Sequence, residues 1–451
     1  MNPAIFREYD IRGLVDKDLN PETVRELGRG FGSYFARQGI KRTTVGRDCR
    51  PSSDPFFHVL VEGLLASGMA VTDVGVCPTP LLYFSIVHLE QEGGVMITGS
   101  HNPPEFNGFK VCVGKDAVYG EEIQRVRQII EQGDYVQGEG SLAQHNIIPD
   151  YHRYVLSHIQ VSREIKVVVD AGNGTGGVVG VPLMRDLGCQ VEALYCEMDG
   201  RFPHHHPDPT VEKNLTDLIT TVKAIDADLG IGYDGDADRI GVVDEEGRII
   251  WGDRLMIIFA RDIIRERGGG TFIGEVKCSQ TLYDEIERLG GRAIMWKTGH
   301  SLIKDKMKQE DALLAGEMSG HMFFADRYFG FDDAVYASCR LLEIVAKTGK
   351  KVSELLEGIP QTAVTPEIRV ECPDEVKFKI VEQATEHFRR EYPVIDIDGM
   401  RVQFPDGWGL VRASNTQPAL VLRFEAASRD RLEEIKAMVE AKVKELMEDV
   451  S

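Results

Sequence analysis

Three stretches of this chain repeat one pattern: a short β-branched run, a polar turn, an amphipathic stretch of helix length stopping at a glycine, and a second apolar run. They are TVGRDCRPSSDPFFHVLVEGLLASGMAVTDVG (44–75), KVVVDAGNGTGGVVGVPLMRDLGCQVEALY (166–195) and TFIGEVKCSQTLYDEIERLGGRAIMWKTG (271–299), with the stops at Gly68, Gly188 and Gly290. β-branched side chains suit a half-buried pleated surface, and glycine ends a helix in the left-handed conformation without steric cost. Strand, helix, glycine and strand together predict a right-handed βαβ unit. In the first copy Ser53 and Asp54 precede Pro55, which predicts a helix start there. The copies recur at domain-sized rather than solenoid-sized intervals.

After each unit another apolar run ends in a polar loop: GGVMITGSHNP (93–103), ADLGIGYDGDADR (227–239) and ALLAGEMSGH (312–321). Ligands of parallel α/β sheets gather at the carboxyl ends of strands. Three similar mixed-sheet α/β domains would therefore each aim one loop at a shared central cleft. From Thr362 the pattern changes to an α+β module. Its elements are expected as a helix near 374–390, strands near 394–404, 407–413 and 419–426, and a helix from about 429 to 447. Ser428 caps that last helix, and Leu432, Ile435, Val439, Val443 and Leu446 share one face. Short linkers are expected near 140–150, 245–255 and 358–363.

With 72 acidic and 52 basic side chains the formal charge is −20. Such a balance speaks against nucleic acid and anionic membranes as partners, since both are gripped by excess Lys and Arg. No run approaches the roughly 18 apolar residues of a spanning helix, and the N-terminal residues lack a secretory pattern. The eight cysteines are scattered without a CxxC pair and read as buried thiols of a cytoplasmic protein.

In DGDADR, Asp234, Asp236 and Asp238 alternate with small residues. Three carboxylates so close repel one another unless a cation sits among them, and hard oxygen ligands suit Mg²⁺, Ca²⁺ or Mn²⁺. A solvated acidic turn is the plainer reading, and an EF-hand loop a sharper rival; the latter needs Gly at its sixth position, where this chain has Arg239. In TGSHNP, Ser100 at a strand end is a candidate nucleophile and His101 a candidate proton carrier, although a Ser/Asn-rich turn explains the same letters. In GEMSGH, Glu317 and Ser319 offer a carboxylate and a hydroxyl suited to adjacent sugar hydroxyls. In RASNTQP, Arg412 supplies a forked cation and Ser414, Asn415 and Thr416 supply donors for a phosphate dianion. The run His204–His206 reads as a loop whose rings point different ways.

These four loops, in this order, resemble the α-D-phosphohexomutase superfamily, and most closely its phosphomannomutase/phosphoglucomutase branch. The resemblance spans essentially the whole chain. It implies domains at 1–145 (phosphoserine loop), 146–248 (metal loop), 249–359 (sugar loop) and 360–451 (phosphate loop), the last resembling the TATA-binding-protein sheet. It implies an isomerase that moves a phosphoryl group between the 1- and 6-positions of a hexose phosphate through a hexose 1,6-bisphosphate. Ser100 would carry the phosphoryl group and, with Asp234, Asp236 and Asp238, ligate Mg²⁺. Glu317 and Ser319 would read the sugar, and Arg412, Ser414, Asn415 and Thr416 would hold the phosphate that is not reacting. Among further cleft residues, Arg12, His101, Lys110, Arg239 and His321 fall on the catalytic side, and Tyr9, Lys277 and His300 on the substrate-binding side. Opening of the fourth domain near 358–363 would let the bisphosphate turn about.

Phosphoglucosamine mutases show GEQSGH and RxSGTEP, whereas this chain has Met318 and Asn415–Thr416–Gln417; eukaryotic-type phosphoglucomutases favour GEES. The departures favour glucose and mannose phosphates without separating the two. Phosphoglucosamine mutase and a sugar-phosphate phosphatase stand as the alternatives, and both a monomer and a dimer remain open.

Overall fold

A computed structural model of the chain describes residues 1–414 and 418–448. Each repeated segment folds as predicted. The units are Arg42–Arg47, Ser53–Ala66 and Ala70–Val76; Lys166–Asp170, Gly177–Asp186 and Gln190–Leu194; and Thr271–Glu275, Gln280–Arg288 and Arg292–Trp296. In every case the first strand is central, with the second parallel to it on one side. The following apolar run, Gly93–Ile97, Leu229–Tyr233 or Leu314–Gly316, is parallel to it on the other side. The chain then reverses, and Phe106–Val113, Ile240–Asp244 or Met322–Phe324 returns antiparallel. The three polar loops are these three reversals.

Several local expectations need correction. The segments near 140–150 and 245–255 are more than linkers. Ser141–Gln144 adds a strand parallel to Ala70–Val76, and Ile249–Ile250 adds one beside Ile240–Asp244. The SLAQ side chains are all exposed, so this edge strand is held by its backbone and leaves no apolar periodicity to read. The helix of the first repeat does begin at Ser53, but Ser52 occupies the capping position and the Ser53 hydroxyl bonds Asp48 instead of capping. The stretch 394–404 is a hairpin, Val394–Ile395 against Met400–Phe404, turning at Asp398–Gly399 where Gly399 has φ +88°.

The helices Thr79–His88, Ile148–His158, Gly177–Asp186, Gly252–Arg267 and Ala334–Thr348 contribute to one continuous core shared by the first three sheets. The C-terminal antiparallel sheet has a separate core, formed with the helices Asp374–Phe388 and Arg429–Glu448. In the second of these Leu432, Ile435, Val439, Val443 and Leu446 are buried as the heptad-like spacing predicts, and Ser428 Oγ accepts the Arg431 amide at 3.3 Å. Among the described residues no helix is long and apolar enough to cross a membrane. Leu432→Ala should destabilise the C-terminal unit by about 2–5 kcal/mol, since Leu432 is fully buried in a small core; urea unfolding followed by Trp408 fluorescence checks this.

Candidate active site at the strand reversals

Ser100 sits at the first reversal with φ +49°. A non-glycine residue in this left-handed region carries a cost of about 1–2 kcal/mol, so neighbours must hold it there. Its Oγ donates to Asp234 Oδ2 at 3.1 Å and lies 3.1 Å from His101 Nδ1, from which it can accept when that nitrogen carries the proton. Burial, with the Arg239 and Arg12 cations nearby, holds His101 well below the usual histidine range, leaving the ring neutral at pH 7. The second reversal presses directly on the first: a Cβ on Gly235 would lie 2.5 Å from the Ser100 carbonyl oxygen.

Asp234, Asp236 and Asp238 are all fully buried or nearly so, and one oxygen from each falls within 4.8 Å of the others. The turn is tied by the Asp238 and Arg239 amides, each donating to Asp234 Oδ1 at 3.1 Å. Lys110, on the returning strand of the first sheet, donates to Asp236 Oδ2 at 2.8 Å and also to Asp238. Thr79, at the start of a helix of the first sheet, donates its hydroxyl to the same Asp236 oxygen at 2.5 Å. Asp236 Oδ1 is buried and makes no hydrogen bond among the described residues. Burial and the charges of Asp238 and Asp236 push Asp234 well above the ordinary carboxylate range. An orphaned carboxylate oxygen in an all-oxygen set fits a hard divalent cation, which would relieve both penalties.

The third reversal is wired to the second. His321 Nε2 meets Asp238 Oδ1 at 3.2 Å, its Nδ1 meets Glu317 Oε2 at 2.5 Å, and the Ile240 amide donates to the Gly320 carbonyl at 3.0 Å. Burial opposes a charged ring, but Asp238 and Glu317 on its two nitrogens push His321 up to about 9. Both nitrogens of that imidazolium donate, so the 3.3 Å approach of Arg239 Nε is a contact and not a hydrogen bond. Glu317 Oε1 accepts the Gly299 amide at 2.7 Å, and Ser319 Oγ lies 3.4 Å from Glu317 Oε2. His300 opens the helix that precedes this reversal, its ring 5.7 Å from that of His321, and burial with the Lys304 cation lowers it to about 4. Tyr9 closes over this corner, donating to the Thr298 carbonyl at 3.1 Å. In the C-terminal unit Arg412 binds Asp398 Oδ2 at 3.0 Å, and the same oxygen accepts the Thr298 amide at 3.0 Å. Ser414 is buried beside it, while Asn415 and Thr416 lie outside the described residues.

Four family profiles match in succession. They are described as Phosphoglucomutase/phosphomannomutase alpha/beta/alpha domain I (residues 3–137), domain II (149–247), domain III (251–363) and C-terminal domain (367–442). The chain belongs to the phosphoglucomutase/phosphomannomutase family. A relative from Pseudomonas aeruginosa, named phosphomannomutase/phosphoglucomutase, is 48% identical over 98% of this chain and 96% of its own. One from Neisseria gonorrhoeae, named phosphoglucomutase, is 45% identical over 97% of each. Among solved structures, a phosphoglucomutase/phosphomannomutase family protein from Burkholderia thailandensis superposes with TM-score 0.93 at 40% identity, covering 99% of this chain and 98% of that one.

For this phosphohexomutase the structure brings Ser100, His101, Lys110, Arg239, His321, Glu317, Ser319 and the three aspartates into one linked cluster. His300 packs against His321, the Lys277 charge acts on Glu317, and Arg412 connects through Asp398 to Thr298, whose carbonyl Tyr9 bonds. The five basic cleft residues do not stand as free cations. Arg12 pairs with Asp10, Lys110 with Asp236 and Asp238, Lys277 with Glu367 at 3.3 Å, Arg412 with Asp398, and Arg239 is drawn to Asp234. Asp398, Thr79 and the pair Asp48–Arg50 escape the sequence reading; only the polar letters GRDCR at a strand end could have flagged the pair. The His204 and His205 rings do point apart, to Asn173 and to Asp170. Gly235→Ala should leave the chain folded yet displace the Ser100 peptide, lowering mutase kcat by about 10²-fold; steady-state kinetics with circular dichroism checks this.

Proposed function

We propose that this chain is a Mg²⁺-dependent phosphohexomutase in which phosphorylated Ser100 exchanges its phosphoryl group with the 6- and 1-oxygens of mannose and glucose phosphates. The observation that supports it most is the junction of Ser100 Oγ with Asp234, at the point where the metal loop and the sugar loop meet. The division into units at 1–145, 146–248, 249–359 and 360–451 belongs to the same reading, as does a cytoplasmic setting, which eight free thiols support.

Asp234, Asp236 and Asp238, with an oxygen on Ser100, would hold Mg²⁺; when bound, the ion neutralises charge on the transferring phosphoryl group. The rest is done by the chain. Arg412 and the loop after it hold the distal phosphate of a hexose 1-phosphate, while Glu317 and Ser319 orient the ring through adjacent hydroxyls. The hexose O6 attacks phosphorus, the bond from phosphorus to Ser100 Oγ breaks, and the O6 proton passes to a neighbouring base. Lys110, Arg239 and Arg12 flank the transferring group, and His101, held neutral at pH 7, lies beside Ser100 Oγ. The resulting 1,6-bisphosphate turns about, its 1-phosphoryl returns to Ser100 Oγ, and the 6-phosphate leaves. A loop that reads two neighbouring hydroxyls serves both orientations.

Glucose 1-phosphate and mannose 1-phosphate, each with Mg²⁺ and a trace of glucose 1,6-bisphosphate, should both yield the 6-phosphate. Turnover of glucosamine phosphate alone, or phosphate release as fast as isomerisation, would overturn the assignment. Intact mass should rise by about 80 Da, mapped to Ser100, and Ser100→Ala should cut kcat by at least 10³-fold. Chelation of the metal should abolish turnover and added Mg²⁺ restore it, whereas Asp236→Asn should lose Mg²⁺ binding by calorimetry.

A further inference from the structure

Asp48 and Arg50 follow the central strand of the first sheet, and neither reaches the reacting groups. Both are buried, with 3% and 2% of their surface exposed. Arg50 spreads its guanidinium across the loop that carries Ser100. Nη2 donates to the Ser100 carbonyl at 2.7 Å and to that of Asn102 at 2.6 Å; Nη1 donates to the carbonyls of Pro103 at 2.6 Å and Phe106 at 3.0 Å. Nε donates to Asp48 Oδ2 at 3.0 Å. Asp48 in turn accepts the Thr98 hydroxyl at 2.9 Å and the Gly99 amide at 3.2 Å, and the Thr98 hydroxyl oxygen accepts the Ser100 amide at 2.8 Å. The Ser100 peptide is therefore gripped at its carbonyl by Arg50 and at its amide by Thr98, which Asp48 holds.

The second unit covers this grip. The Phe202 ring lies 5.0 Å from the guanidinium, and a Cβ on Gly200 would stand 2.4 Å from the Arg50 Cα. A Cβ on Gly99 would strike the guanidinium carbon at 2.6 Å, so the loop accepts only glycine against the planar fork. Burying an ion pair is poor value for stability, because desolvation offsets much of the attraction. What a guanidinium supplies is a rigid fork of five donors, which a lysine ammonium cannot reproduce. The left-handed backbone at Ser100 requires that kind of restraint.

We propose that Asp48 and Arg50 are positioning residues for the phosphoryl-carrying serine, locking the Ser100 peptide so that its Oγ faces Asp234. The proposal rests on Ser100 being the phosphoryl carrier. Neither residue touches sugar or distal phosphate, so their loss slows phosphoryl transfer without weakening hexose phosphate binding.

The test compares Arg50→Lys, Thr98→Val and Ser100→Ala in the full chain. Measured quantities are kcat and KM for glucose 1-phosphate, the rate at which glucose 1,6-bisphosphate installs the phosphoryl mass on the protein, and thermal unfolding. Arg50→Lys should lower kcat by about 10²-fold and Thr98→Val by about 10-fold. KM should stay within about threefold, and the phosphorylation rate should fall in step with kcat. An unchanged kcat in either folded variant, or a KM that rises as kcat falls, overturns the proposal. Should Arg50→Lys fail to fold, Thr98→Val decides, since it removes one hydroxyl and leaves the buried charges paired. Ser100→Ala separates the two claims: if it retains turnover the nucleophile assignment fails, whereas an inactive Ser100→Ala beside a fully active Arg50→Lys refutes the positioning role alone.

Discussion

Three carboxylates buried side by side at the second strand reversal set the terms for the rest of the cleft. Two unit charges about 4 Å apart at an effective dielectric near 20 interact by about 4 kcal/mol, so repulsion among Asp234, Asp236 and Asp238 is large against the stability of one domain. The chain answers from two other units. Lys110 reaches across from the first sheet, and His321, charged near neutral pH, comes from the third. Those contacts are also what bring the serine loop and the sugar loop to the acidic turn. A phosphoryl group on Ser100 adds about two further negative charges, which is why the proposed reaction calls for a divalent cation at the same place.

The C-terminal unit joins on different physics. Its apolar contact with the third sheet is small, built on Val276, Trp408 and Leu410. Most of the join is polar. Arg401 lies 3.8 Å over the Trp408 ring and donates to the carbonyls of Val276 at 2.6 Å and Cys278 at 3.0 Å, while Glu425 accepts from Ser279 and Trp408. Interfaces of this make-up permit relative motion far more readily than a shared apolar core does. The first three sheets share such a core, and on the proposed function the unit bearing Arg412 is the one that would open. Asp398, bound both to Arg412 and to the Thr298 amide, ties that arginine to the third unit.

An acidic chain that handles phosphates resolves its contradiction through pairing. Each basic residue of the cleft faces a carboxylate, so on the proposed function an incoming phosphate would exchange partners with Asp398 or Glu367 and not meet bare positive charge. Such exchange keeps cations buried and ordered without the desolvation cost of leaving them alone.

The repeat, the three reversal loops and the amphipathic last helix were legible because their signals are local: period-two and period-3.6 apolar patterns, glycine stops, and short clusters of reactive side chains. Ser100, the aspartates, Glu317 and Arg412 stood out for the same reason. The edge strand Ser141–Gln144 was invisible, since its four side chains are all exposed and none is placed by a buried face. What only the tertiary structure decided is how those residues are held. Arg50 meets Ser100 across fifty positions, and Lys110 meets Asp236 across more than a hundred. No spacing in the chain encodes bonds of that reach. The first exists because two neighbouring strands of one sheet end side by side, so that Arg50 and Thr98 reach the left-handed Ser100 peptide; the second exists because the first and second sheets turn their strand ends toward each other.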